Sequence, residues 1–159
     1  MLFFKKKRSL CAVCNGRAMP LSEMPDEAFA SGMLGVGYAI EPRDGQICSP
    51  VDGVVESVAE AKHAYTLQSE DGLDVLVHIG VDTVSLGGKG FLPLVQAGDR
   101  VVTGEPVARV DMDVLSAHHL CTYTAVLISN PERVEGLDFQ YGEVKAAASV
   151  AHFHLSGKE

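Results

Sequence analysis

Residues 53–80 read GVVESVAEAKHAYTLQSEDGLDVLVHIG, and the fold is decided by how this stretch is read. Apolar β-formers stand on both sides of Glu70-Asp71-Gly72, the composition of a hairpin with a tight turn. In an antiparallel hairpin the turn type sets which residues face each other. An Asp71-Gly72 turn places His78 opposite Tyr65, with His63 two residues along on the same face. A Glu70-Asp71 turn places His63 directly opposite His78, with Cβ atoms about 4.5 to 5.5 Å apart. A three-residue loop with a bulge shifts the register by one and sends the two rings to opposite faces.

Outward from the hairpin the same grammar continues. QAGDRVVTGEPVARVD (96–111) carries Gly98-Asp99 and Gly104-Glu105 turns too closely spaced for a helix to fit between them. YTAVLISN (123–130) and VKAAASVAHFH (144–154) read as further strands, giving about eight or more in all. DMDVLSAHHL (111–120) has an acidic start and apolar Met112, Val114 and Leu115, which predicts one short helix. Residues 1–12 read as a flexible tail and 13–47 as irregular structure within a single domain over 13–159. The expected class is therefore all-β.

Composition agrees and narrows the function. A chain of 159 residues, 47% hydrophobic and 21% charged, fills one core and is not a disordered protein. Thirteen Lys and Arg against 21 Asp and Glu leave a formal charge of −8, which disfavours nucleic acid as the main partner. No apolar run reaches the ~20 residues of a membrane-spanning helix. The first residues, MLFFKKKRS, place the apolar tip before Lys5, Lys6, Lys7 and Arg8, the reverse of an export signal. A cytoplasmic location follows, where Cys11, Cys14, Cys48 and Cys121 stay reduced. Cys11 and Cys14 have CxxC spacing, but no second pair and no strand-then-helix context accompany them, so they read as incidental thiols.

Two neighbouring imidazoles on one sheet face bind a metal, act as acid and base, or pass a phosphoryl group. As mere core residues they would cost desolvation and return nothing, which favours a functional pair. The pair by itself leaves all three open, and the chemistry of the ring admits phosphoryl carriage among them. A neutral ring nitrogen is a good nucleophile near neutral pH and a good leaving group once bonded to phosphorus.

The sequence VHIGVDTVSLGGKGF (77–91) closely resembles the active-site signature of glucose-type enzyme IIA domains of the bacterial phosphoenolpyruvate-dependent sugar phosphotransferase system. KHAY (62–65), AGDRVVTGEPVARVD (97–111) and LISN (127–130) extend the resemblance, as do PLSEMPDEAF (20–29) and SPVDGVVESV (49–58), over residues 16 to about 150. The resemblance implies an antiparallel β-sandwich, barrel-like and of the duplicated hybrid motif type, with a few short helices. It also implies that His78 accepts a phosphoryl group on its tele nitrogen from the phosphocarrier HPr and passes it to a cysteine of a IIB/IIC permease. His63 would support that group, and Asp82 would lie near the phosphorylated ring and the partner's basic surface. No metal and no cofactor are implied. The chain departs from the family at Ala61, where a Thr whose hydroxyl holds the supporting ring is common, and at CAVCNG (11–16), where a displaced or poorly ordered first strand is expected.

Other histidines support rival readings. His152 and His154 alternate in one strand and share a face, so with His63 or Asp82 they would suit a zinc hydrolase on a related β scaffold; no HExxH pattern accompanies them. His118 and His119 read as solvated helix surface. A phosphorylation-dependent regulator, signalling through a charge change of about −1.5 to −2 at His78, is the third reading. Finally, residues 1–8 suit weak, salt-sensitive contact with an anionic membrane, through Leu2, Phe3, Phe4 and the basic run.

Overall fold

The computed structural model describes residues 7–157. The fourteen strands among them are β1 (Lys7–Cys11), β2 (Gly16–Pro20), β3 (Val36–Pro42), β4 (Gln46–Cys48), β5 (Gly53–Val58), β6 (Ala64–Ser69) and β7 (Asp74–His78). There follow β8 (Phe91–Pro93), β9 (Arg100–Val101), β10 (Pro106–Val110), β11 (Thr124–Ile128), β12 (Val134–Phe139), β13 (Gly142–Val144) and β14 (Ser149–Leu155). Two short helices, α1 (Glu27–Ala30) and α2 (Met112–Ala117), complete the regular structure with three 3₁₀ turns. All strand pairs described are antiparallel, in an eight-stranded sheet ordered β13-β2-β3-β11-β7-β6-β5-β9 and two three-stranded sheets, β1-β14-β12 and β4-β10-β8. The large sheet stays open, so the all-β reading stands as a sandwich and the barrel-like element of the expectation does not.

Alternation along the central strands sorts side chains between two apolar clusters. Tyr38 and Ile40 of β3, Val75 and Val77 of β7, and Val126 and Ile128 of β11 enter the main core. Their neighbours Ala39, Ala125 and Leu127 turn the other way, into a smaller cluster with Met19, Met24, Phe29 and Val81. That second face carries Leu76 and the strand-end residue His78. The large sheet is thus covered on one side by the main core and on the other by a small apolar patch under α1.

The N-terminal region differs from its sequence reading. Of the expected tail, residues 7–11 form β1, paired with β14, and the segment expected to be displaced is core: Ala12, Val13 and Cys14 are fully buried. Tyr38 donates its hydroxyl proton to the Cys11 carbonyl at 2.5 Å, so a buried polar group is satisfied where the chain leaves β1. The stretch 13–47, expected to be irregular, contains β2, β3, β4 and α1. These strands are short and interrupted by Gly and Pro, and their pairing is long-range, which local punctuation cannot reveal. The helix expected in 111–120 is present, with Asp111 as its N-cap accepting from the Asp113 amide.

The deciding hairpin closes through the three-residue loop Glu70-Asp71-Gly72. Gly72 takes the left-handed conformation (φ 82°), its N–H donates to the Ser69 carbonyl, and the Ser69 hydroxyl accepts from the Leu73 amide. Ala64 therefore faces His78, the register in which the two imidazoles were expected to diverge. They do not diverge. His63 lies one residue outside β6, in the β5–β6 connection closed by the Ala59 amide donating to the Ala64 carbonyl. Lys62, at φ 65°, turns the chain there, so the period of two that governs β6 does not govern His63.

Candidate active site

His78 ends β7 on the face of the small apolar cluster. Its Nδ1 lies 3.0 Å from the Gly80 carbonyl oxygen, which only accepts, so Nδ1 carries the proton and donates. The lone pair is then left on Nε2. Phe29 packs against the ring with centroids 4.9 Å apart and planes tilted by 54°. His63 meets it edge to face, with centroids again 4.9 Å apart at 86°. Burial lowers the His78 pKa below its ordinary value, the neighbouring His63 lowers it further, and the Gly80 hydrogen bond and the Asp26 carboxylate oppose both.

His63 is 8% exposed, and its pKa is also lowered by burial, with the backbone of Ala61 opposing. Its Nδ1 is buried and has no hydrogen-bond partner among the described residues. Two neutral rings in contact avoid the cost of two adjacent buried charges. Beside His63 a depression of about 410 Å³ opens to solvent, rimmed by Ala59, Glu60, Val84 and Gly87. Val84 is 59% exposed there.

Asp82 is placed differently from the two histidines. It is exposed, adopts a left-handed conformation (φ 60°), and contributes its backbone carbonyl to Ser85, whose amide and hydroxyl both donate to it. The carboxylate whose charge bears on His78 is instead that of Asp26. Asp26 is the N-cap of α1 and accepts from the Ala28 amide at 2.9 Å, fixing the short helix that delivers Phe29. Reading the residues alone missed both Asp26 and Phe29. The signal was present in Pro25-Asp26-Glu27, a capping residue followed by a first-turn acid.

The remaining histidines and the thiols have ordinary surroundings. His118 Nδ1 lies 2.9 Å from the Val114 carbonyl at the end of α2, and His119 follows it, exposed. His152 Nδ1 pairs with the Ser9 hydroxyl at 3.1 Å, and His154 Nδ1 is buried without a partner. These two stand on one face of β14, as expected. Among the described residues no group of three or more His, Cys, Asp or Glu is arranged to hold a metal ion. Cys11, Cys14 and Cys48 are buried free thiols, and burial pushes Cys14 up to about 12 and Cys48 up to about 11. A thiol held protonated is a poor nucleophile.

Comparison with known proteins gives the family of the chain. The family described as phosphoenolpyruvate-dependent sugar phosphotransferase system, EIIA 1, matches residues 8–134. The glucose-specific EIIA component of Staphylococcus epidermidis is 36% identical over 135 residues, which are 85% of this chain and 81% of that protein. The glucose-specific EIICBA component of Staphylococcus saprophyticus is 45% identical over 118 residues, but these make up 74% of this chain and only 17% of that larger protein. Among solved structures, the glucose permease IIA from Mycoplasma capricolum superposes with a TM-score of 0.89 at 34% identity, covering 96% of this chain and 99% of that one. The chain belongs to the EIIA family of the phosphoenolpyruvate-dependent sugar phosphotransferase system.

Proposed function

We propose that this chain carries a phosphoryl group on Nε2 of His78, between phospho-HPr and a cysteine of a IIB/IIC permease, in sugar uptake and phosphorylation. The observation that carries the reading is the Nδ1 to Gly80 hydrogen bond, which leaves the Nε2 lone pair as the nucleophile beside a second imidazole. In the first half-reaction Nε2 attacks phosphorus, a P–N bond forms, and the bond to the donor histidine of HPr breaks with its electron pair. In the second, a cysteine thiolate attacks, an S–P bond forms, and the P–Nε2 pair returns to the ring. The ring attacks in its neutral form, and the positive charge that bonding to phosphorus places on it stays until the P–Nε2 bond breaks, because the Gly80 carbonyl keeps the proton on Nδ1 throughout.

Phosphoryl transfer asks mainly for positioning and for donors to the equatorial oxygens. His63, edge-on at 4.9 Å, supplies such a donor. Asp26 and Asp82 supply negative charge for a basic partner surface. The relatives named above are glucose-specific, which makes glucose the first sugar to test.

Membrane contact by the N-terminus remains part of the proposal in reduced form. Residues 1–6 lie outside the described residues, while Lys7 and Arg8 belong to β1 and Arg8 pairs with Asp71 at 3.4 Å. The reading therefore rests on Leu2, Phe3, Phe4, Lys5 and Lys6. For the carrier itself, incubation with phosphoenolpyruvate, enzyme I and HPr tests the proposal. An acid-labile phosphate is expected in the wild-type protein and absent in His78→Ala; a label persisting in that variant overturns it.

A further inference from the structure

We infer that Thr83 is a positioning residue for His78: its side chain locks the Ile79-Gly80 turn in the geometry that keeps the His78 proton on Nδ1 and the lone pair on Nε2. This rests on the reading of His78 as the phosphoryl acceptor, which it deepens by naming what selects the reactive nitrogen.

Thr83 is fully buried, and its hydroxyl donates to the Ile79 carbonyl at 2.5 Å, across the turn that follows β7. The same turn is pinned on both sides by backbone. The Ile79 amide donates to the His63 carbonyl at 2.8 Å, and the Val81 amide donates to the Cys121 carbonyl at 3.0 Å. Between these anchors lies Gly80, at φ 76°, whose carbonyl holds the His78 ring. The Thr83 methyl fits against Gly80 so closely that a Cβ there would stand 2.5 Å from Thr83 Cγ2. One side chain thus does two things: the hydroxyl holds the Ile79 carbonyl, which fixes the Ile79-Gly80 peptide plane, and the methyl limits how far Gly80 can rotate.

The turn also holds Asp82 in the left-handed region, a conformation that costs an ordinary residue on the order of 1 kcal/mol and persists only when its surroundings impose it. A Ser or Thr hydroxyl bonded to a carbonyl four residues earlier is commonplace inside helices. Here the bond spans the turn that leads from β7 into the 3₁₀ segment Thr83–Leu86, whose first residue is Thr83. The Gly80 carbonyl lies in the next peptide, Gly80–Val81, which the Val81 amide ties to Cys121. Thr83 sets the preceding plane and presses on Gly80, so that without its hydroxyl the carbonyl is restrained from one end only and turns from the ring part of the time. The ring then loses the acceptor that distinguishes its two nitrogens, and a proton on Nε2 blocks attack on phosphorus.

The test compares Thr83→Val, which keeps the shape and loses the hydroxyl, with Thr83→Ser, which keeps the hydroxyl. The His78 tautomer is read from ¹⁵N shifts of the unphosphorylated protein. Wild type and Thr83→Ser are expected to be protonated on Nδ1 alone, and Thr83→Val to show a substantial Nε2–H population. Acceptance of phosphate from HPr should fall by about tenfold in Thr83→Val, short of the hundredfold that a full 1 Å misplacement costs. An unchanged tautomer in folded Thr83→Val, or an equal shift in Thr83→Ser, overturns the inference. If Thr83→Val does not fold, the wild-type protein decides: a slowly exchanging Thr83 hydroxyl proton is expected, and its absence overturns the clamp. Failure of the underlying reading is separable, because a wild type that takes no phosphate on His78 would leave the tautomer result standing.

Discussion

His63 and His78 meet edge to face with ring centroids 4.9 Å apart, although the strand pairing sets Ala64, not His63, opposite His78. The contact is made by a loop residue reaching a strand-end residue. The two backbones are nonetheless tied together, the Ile79 amide donating to the His63 carbonyl at 2.8 Å.

Both rings have pKa values lowered by burial, which sets the pH dependence. The free-protein rate of phosphate acceptance should be flat at neutral pH and fall on acidification, with a midpoint below the ordinary histidine value of 6.5. Stability should follow with the same sign. The unfolded chain binds protons at these histidines more readily than the folded one, so stability is full above pH 6.5 and declines as pH drops through that value toward the lowered folded pKa values. An NMR titration placing His78 at or above 6.5 would contradict the account.

His63→Gln should still accept phosphate from HPr and pass it poorly to the IIB cysteine. Loss of one oriented donor costs about 2.7 to 4 kcal/mol in the affected step, or roughly a hundred- to a thousandfold. Rapid-quench measurement of the two half-reactions checks this, and equal rate losses in both would argue against a supporting role confined to transfer.

Phe29→Ala removes a ring that is 6% exposed and packs on His78. A stability loss of about 3 kcal/mol is expected, the low end for a buried aromatic because the site borders solvent. The His78 side chain should also gain mobility, visible as broadened ring resonances. A variant of wild-type stability with an unchanged ring signal would show that Phe29 holds nothing.

Deletion of residues 1–6 should leave phosphate acceptance intact and abolish salt-sensitive sedimentation with anionic vesicles, each basic residue near such a surface being worth about 1 kcal/mol. Equal retention by neutral and anionic vesicles, or no effect of the deletion, would remove the membrane role.

The sequence by itself determined the sheet-rich class, a tight turn at Glu70–Gly72, which the structure places in the β6–β7 hairpin of a three-strand run over 53–78, and the α2 start at Asp111, and it singled out two histidines as candidates. These depend on local chemistry: alternation of Val, Leu and Tyr, a Gly-bearing turn, an acidic cap and rare side chains whose pairing on one face is hard to explain as packing. Tertiary structure decided everything that depends on distant segments. Turn chemistry alone did not separate a two-residue from a three-residue loop, and strand periodicity gave no direction for His63, which lies beyond the strand at a left-handed Lys62. Asp26 and Phe29 reach His78 across some fifty residues of sequence because α1 folds onto the second face of the large sheet. The acceptor facing His78 Nδ1 is likewise tertiary: it is a carbonyl two residues away, in a turn bounded by the Thr83 hydroxyl and the Cys121 backbone, and no pattern in the residue order encodes a peptide plane.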